Sequence, residues 1–287
     1  MHTVDRLQSL REAVDSLRAG GPLALVPTMG ALHEGHLTLV REAKARAASV
    51  VVSIFVNPAQ FGPNEDLDAY PRQLAEDAAM LEAEGVDLLW APPVSEVYPE
   101  GFATTVSVAG VSEGLCGASR PGHFDGVATV VCKLFNQVRP DMALFGEKDW
   151  QQLAVIRRMA RDLDLTQPHA GAIHGVATVR ESDGLALSSR NRYLSADDRA
   201  RAAALPRAMR EAIARIEARA DVSEALAALE AALLESGFAS FDYTELTDAE
   251  SLEPLTTLSG RAARLLVAAR IGGTRLIDNM PVGPEKT

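Results

Sequence analysis

The sequence predicts an α/β chain, a doubly wound parallel sheet joined to a smaller α+β unit, on three observations. From Leu23 onward, short wholly apolar runs alternate with helical patterns, the order expected of repeated β-α-β crossovers buried on both faces. After about residue 175 that alternation stops. A turn pair, Asp183-Gly184, then leads into Ala- and Arg-rich helices and separate strands. With 287 residues there is material for one large core or two modest ones, and we place the domains at 1–175 and 176–287.

Each element follows from its pattern. MHTVDRLQSLREAVDSLRAGG reads as an amphipathic surface helix, because Leu7, Leu10, Val14 and Leu17 recur three or four apart among charges; it is not a signal peptide. The run LALVP (23–27) is a strand, His36 to Ala47 a helix, and the apolar run over 50–56 a second strand. A helix over about 72–84 leads to DLLWAP (87–92), and the helical stretch 124–138 leads to MALFGE (142–147). The helix DWQQLAVIRRMARDL (149–163) follows, with Leu153, Ile156, Met159 and Leu163 on one stripe. Beyond residue 175, VATVR and LALSSR read as two hairpin strands. Helices over about 196–218 and 222–236 come next, Ser195 and Asp198 offering a capping box to the first. Strands near 240–246, 263–271 and 274–279 complete the chain, and the Ala-rich tract reads as solvated helix.

Composition excludes several classes. Apolar residues are 47% and charged residues 23%, the balance of an ordinary globular chain. A net charge of −11 disfavours non-specific nucleic-acid or anionic-membrane partners, so any anion site must be local. No apolar stretch approaches the roughly 20 residues of a membrane span. Only Cys116 and Cys132 occur, without a CxxC pair, which argues for a reducing cytoplasm and against a cysteine-rich zinc site.

The residues that carry chemistry cluster after the strands. In PTMGALHEGHLTLV, Gly30 permits close backbone approach, and His33 and His36 stand three apart where free helix N–H groups and the macrodipole favour an anion. A zinc reading fails on spacing, since HExxH separates its histidines by four. A single histidine there could be a mere cap; two beside Gly30 and Gly35 point to phosphate. FVNPAQFGPNEDLDAYPR is a long Pro-, Asn- and Gly-rich loop at the same sheet edge, and its Gln60 amide can bind hydroxyls and a carboxylate both ways. FGEKDWQQL brings Lys148 to that edge, while Asp149 and Gln152 fit an Asp-x-x-Gln cap. In DGLALSSRN the residues Ser188, Ser189 and Arg190 form a basic, hydroxyl-rich cluster suited to triphosphate oxygens. Gly122-His123-Phe124-Asp125-Gly126 reads as a turn and helix start that shape the pocket rim. No GxSxG, Walker A or GxGxxG signature occurs.

These four motifs, in this order from Pro27 to Asn191, resemble the pantoate:β-alanine ligase (pantothenate synthetase) family, whose HxGH turn places it in the HxGH nucleotidyltransferase superfamily; ARLLVAARIGGTRLIDNM is also compatible. The resemblance implies a Rossmann-like first domain and a second domain that closes over the ATP site. It implies ATP contacts at Met29, Gly30, Ala31, Leu32, His33, Glu34, Gly35 and His36, at Gly146, Glu147, Lys148 and Asp149, at the Val179 backbone, and at Leu187, Ser188, Ser189 and Arg190. The last stretch is similar to a KMSKS loop, with serines and an arginine in place of its lysines. Gln60 and Gln152 would hold pantoate, Gln60 also β-alanine, and His36, with His33 and Lys148, would be catalytic, His36 as proton donor. The implied reaction condenses (R)-pantoate with β-alanine through a pantoyl adenylate, using ATP with Mg²⁺ held mainly by its phosphates, in a cytoplasmic homodimer. The Gln60 and Gln152 motifs argue against a nucleotidylyltransferase that forms no amide. A nucleotide sensor without turnover would bind ATP through the same loops, and pyrophosphate release dependent on both ATP and pantoate separates it from the ligase.

Overall fold

The computed structural model describes residues 1–63, 65–258 and 260–283, so Asn64 of the long loop motif lies outside the described residues. The chain divides into two compact units. The first comprises Met1–Ala109, Arg120–Glu147 and Gln152–Ala177, the second Gly110–Ser119, Lys148–Gln151 and Thr178–Thr287.

The elements run β1 (His2–Val4), α1 (Leu7–Arg18), β2 (Leu23–Thr28), α2 (Glu34–Lys44), β3 (Ser49–Ile54), α3 (Leu74–Ala83), β4 (Leu88–Trp90) and α4 (Val94–Val97). They continue α5 (Leu115–Ser119), α6 (His123–Val138), β5 (Met142–Gly146), α7 (Trp150–Asp162) and β6 (Ile173–Val176). Then come α8 (Ala196–Ala202), α9 (Ala204–Glu217), α10 (Val222–Glu235), β7 (Ser240–Asp248), β8 (Ala263–Ile271) and β9 (Thr274–Val282).

In the first unit six strands form one parallel sheet in the order β1-β4-β3-β2-β5-β6. The central strands are apolar throughout because both faces are covered: Ala24, Leu25, Val26, Val51 and Val52 are fully buried. The chain winds from β2 outward through β3 and β4, then returns to the other side of β2 with β5 and β6. The winding therefore reverses between β2 and β5, which pair at Ala24↔Met142 and Leu25↔Ala143. Connections leaving the carboxyl ends of two such strands diverge and open a crevice, the usual ligand position in doubly wound sheets. In α1 and α7 the expected stripes are buried at Leu10, Val14, Leu153, Ile156 and Met159. Leu163 departs from its stripe: it lies past the end of α7, half exposed, because the left-handed Asp164 turns the chain and the Leu165 N–H closes on Ala160.

The second unit packs α8 to α10 on a three-stranded antiparallel sheet, β7-β8-β9, around a core that includes Leu205, Met209, Leu233, Leu265, Val267 and Ile271. The helix expected over 196–218 is broken at Ala203, since Pro206 has no N–H to return to the preceding turn. Strand β9 runs on to Val282 through an exposed Pro281, which an edge strand tolerates. No helix among the described residues is long and apolar enough to cross a membrane.

Candidate active site

The turn after β2 is built by one buried carboxylate. Gly30 and Ala31 both take left-handed backbone, at φ 80° and 51°. Thr28 Oγ1 donates to the Ser53 carbonyl at 2.9 Å and accepts the Gly30 N–H at 3.2 Å. The Ala31 and Leu32 N–H groups then donate to the two oxygens of Asp77, at 2.8 and 2.9 Å. Asp77 sits on α3, 1% exposed, and also accepts Gln73 Nε2 at 3.2 Å.

That turn delivers His33 to the amino end of α2. His33 Nδ1 accepts the Gly35 N–H at 3.2 Å, and His36 Nδ1 accepts the His33 N–H at 3.3 Å. The two ring centroids lie 4.1 Å apart with the planes tilted by 38°. A neutral imidazole that accepts at Nδ1 carries its proton on Nε2, so both rings are Nε2–H donors. The amides of Ala31, Leu32, His33 and Gly35 have acceptors within the chain. Glu34, on the first turn of α2, is exposed and paired with Arg41.

The loop after β3 meets this turn through Gln60. Gln60 is 9% exposed; its Oε1 accepts Asn57 Nδ2 at 3.1 Å and its Nε2 donates to Met29 Sδ at 2.8 Å. Since a thioether is a weak acceptor, that Nε2–H is readily surrendered to an oxygen ligand. Asn57 is locked in turn by the Gly126 carbonyl at 3.0 Å and by Tyr98 OH at 2.9 Å, and burial pushes the Tyr98 phenol up to about 12 against the opposing Asn57 bond. The Gln60 carbonyl accepts His123 Nδ1 at 2.8 Å and Arg120 at 3.3 Å. Arg120 also faces His123 Nε2 at 3.0 Å, which places the His123 proton on Nδ1, and holds both oxygens of Glu65 at 2.6 Å. His123 and Gly126 of the GHFDG segment thus both touch the turn that carries Gln60.

Gly146 ends β5 beside β2, Glu147 follows, and Lys148 is two residues past the strand. Gln152 is half-buried in the first turn of α7, which starts at Trp150. Asp149, expected as a cap for Gln152, lies 3.8 Å from Lys148 Nζ. The buried glutamine is instead Gln151, which the sequence reading passed over. It accepts the Cys116 N–H at 2.9 Å and donates to the Val111 and Gly114 carbonyls at 3.0 and 2.8 Å.

In the second unit two adjacent residues of β9 hold the remaining candidates. Asn279 Nδ2 donates to the Lys148 carbonyl at 2.8 Å, and the fully buried Asp278 carboxylate takes both Arg180 nitrogens at 2.7 and 2.9 Å. Arg180 opens a tight turn over Val179 to Leu187. The hairpin strands expected there are reduced to a single bridge, Arg180↔Ala186, with the Leu187 N–H on the Val179 carbonyl at 3.0 Å. Arg180 donates across the turn to the Gly184 carbonyl, and Arg199 bonds the Asp183 and Glu181 carboxylates. The Arg199 bonds hold the Asp183 carboxyl below its ordinary range. Ser188 Oγ accepts the Arg190 N–H at 3.2 Å and caps the turn Ser189–Tyr193, which presents Ser189 and a half-buried Arg190. The candidate residues therefore fall into two groups. Met29 to His36, Gln60, Gly146, Glu147 and Gln152 belong to the first unit; Lys148, Asp149, Val179 and Leu187 to Arg190 belong to the second.

Residues 2–281 match a family model described as pantoate-beta-alanine ligase. A pantothenate synthetase from Novosphingobium aromaticivorans is 71% identical over 286 residues, 99% of this chain and 100% of that one. Among solved structures, a pantothenate synthetase from Thermus thermophilus superposes with a TM-score of 0.91 at 49% identity, over 99% of this chain and 100% of that one. A pantoate-beta-alanine ligase from Francisella tularensis, solved with beta-gamma ATP and beta-alanine, gives a TM-score of 0.82 at 34% identity, over 98% and 97% of the two chains. The motif order, the sheet that carries it and relatives matched along their whole length agree, and the chain belongs to the pantoate-beta-alanine ligase family.

Proposed function

We propose that the enzyme works in two steps, with an acyl adenylate between them. The pantoate carboxylate attacks the α-phosphorus of ATP, and pyrophosphate leaves. The β-alanine amine, in its neutral form, then attacks the activated carbonyl; AMP leaves, the nitrogen loses a proton, and pantothenate is the product. A carboxylate alone is a poor acyl donor because oxide would have to depart, whereas the adenylate departs as a phosphate monoester.

The observation that carries this reading is the pair of adjacent imidazoles, both Nε2–H donors, at the carboxyl end of β2 beside the Gln60 turn. Two preorganised donors stabilise charge that develops on phosphate oxygens without any proton transfer. The stabilising role for His36 therefore ranks above the proton-donor role. Lys148, two residues past β5, supplies a cation for the same phosphates, and the Gly146 to Asp149 segment, Val179 and Leu187 to Arg190 provide further ATP contacts. Gln60 and Gln152 orient pantoate, Gln60 giving up its bond to Met29 for a substrate oxygen, and Gln60 also serves β-alanine. No three or more His, Cys, Asp or Glu side chains among the described residues converge as a metal cage. In this scheme Mg²⁺ enters as part of the nucleotide substrate, carried by its phosphate oxygens. The family resemblance implies a homodimer, and two cysteines without a disulfide fit a reducing cytoplasm.

Purified protein with ATP, Mg²⁺ and pantoate tests the order of events. Pyrophosphate should appear without β-alanine, in an amount close to that of enzyme, and continuous AMP release should begin only when β-alanine is added. ADP and inorganic phosphate as products would overturn the scheme.

A further inference from the structure

We propose that Asp77 is a positioning residue for the nucleotide-activating step, holding the turn over residues 30–32 so that His33 and His36 present their Nε2–H groups to the phosphates. The inference rests on the reading of the two histidines given above. Asp77 lies on α3, 44 positions beyond His33 in sequence, yet it bonds directly to the turn in front of that histidine.

A carboxylate this deeply buried ordinarily has a cation beside it. Among the described residues Asp77 has no ion-pair partner; its hydrogen bonds come from the Ala31 and Leu32 amides and the Gln73 side-chain amide. Its charge is thus spent on fixing backbone. The backbone it fixes needs fixing: Ala31 has φ 51°, a left-handed conformation that residues with a Cβ rarely adopt. Two oxygens receiving two successive amides impose that conformation. On the other side, a Cβ at Gly30 would come within 3.0 Å of Asp77 Oδ2, so turn and carboxylate fit closely. The next residues are the ones that matter, because the bonds from Gly35 to His33 Nδ1 and from His33 to His36 Nδ1 exist only if the chain leaves the turn in its present direction. An asparagine at 77 offers one acceptor and one donor, and its donor must face an N–H whichever way it is turned.

The test is Asp77→Asn in the full chain, read by ¹⁵N NMR of labelled histidines and by pyrophosphate release with ATP and pantoate. In the parent protein the His33 and His36 signals should be those of the Nε2–H tautomer. In Asp77→Asn they should become tautomeric mixtures, and pyrophosphate release should fall by about tenfold or more while the pantoate KM stays within about twofold. In a His33→Ala/His36→Ala background, the same substitution should change the residual rate by less than about twofold, because the route through the histidines is gone. An unchanged tautomer pattern, or an equal loss in both backgrounds, would overturn the positioning role while leaving the histidine assignment intact. Full activity in His33→Ala/His36→Ala would overturn that assignment and this inference with it. Should Asp77→Asn fail to fold, Asp77→Glu, which keeps the charge but moves the oxygens by one methylene, serves for the same readouts.

Discussion

A Cβ on Gly126 would lie 2.2 Å from the carbonyl oxygen of Ala59 and 2.7 Å from the Gln60 Cα, so helix α6 and the turn bearing Gln60 meet backbone to backbone. Nothing flexible stands between them to give way. The position of the Gln60 amide is therefore set by a residue that has no side chain.

Gly126→Ala should push that turn off α6, costing about 1–3 kcal/mol of stability as overpacking does. The functional mark should be a pantoate KM raised about tenfold with the ATP KM little changed. Gly114→Ala, where an added Cβ meets nothing within 4 Å, is the control. Steady-state kinetics in both substrates decide the matter.

His36→Ala and Lys148→Ala should each slow pyrophosphate release about 10²- to 10³-fold, the loss typical of one preorganised donor to developing charge. His36→Ala also removes the acceptor for the His33 N–H, a cap worth about 1 kcal/mol. Calorimetry alongside the rate measurement separates the two effects: a modest fall in Tm with a large fall in rate is expected.

Glu65 predicts an acid-limited stability. Burial pushes its carboxyl up, but the paired Arg120 outweighs burial and brings it down to about 2, well below its ordinary value. A carboxyl lowered by folding contributes stability above its unfolded pKa and loses it as pH falls toward the folded one. Between pH 5 and pH 3, then, the parent protein should lose more in Tm than Glu65→Gln does. Parallel Tm-against-pH curves for the two proteins would contradict the assignment.

Arg180→Gln should leave the buried Asp278 carboxylate without its partner. The cost should be about 3 kcal/mol, at the lower end for broken buried pairs because Arg180 is itself partly exposed. The turn from Val179 to Leu187 should loosen with it, so the ATP KM should rise more than the pantoate KM. Denaturant unfolding and kinetics in both substrates check the two parts.

Much of the fold was legible because parallel strands buried on both faces read as continuous apolar runs, as at Leu23–Val26 and Val50–Val52. The motif residues were legible because they fall in the connections those strands imply. Asp77 was not, since a buried carboxylate on a helix otherwise rich in Ala and Glu looks like a solvated surface group until the fold brings it to Ala31 and Leu32. Gln151 escaped for a related reason: two adjacent glutamines look alike in sequence, and only the course of residues 111–116 shows which one is buried. The hairpin at 179–187 was overdrawn, because alternation marks where two strands can pair and not how many rungs they form.

The central claim is that pantoate's own carboxylate oxygen becomes bonded to the α-phosphorus of ATP. Pantoate labelled with ¹⁸O in its carboxylate, turned over with ATP, Mg²⁺ and β-alanine, tests this by mass spectrometry of the nucleotide. One ¹⁸O atom per AMP is the result expected. Unlabelled AMP, with the isotope in inorganic phosphate or retained wholly in the amide product and water, would contradict it.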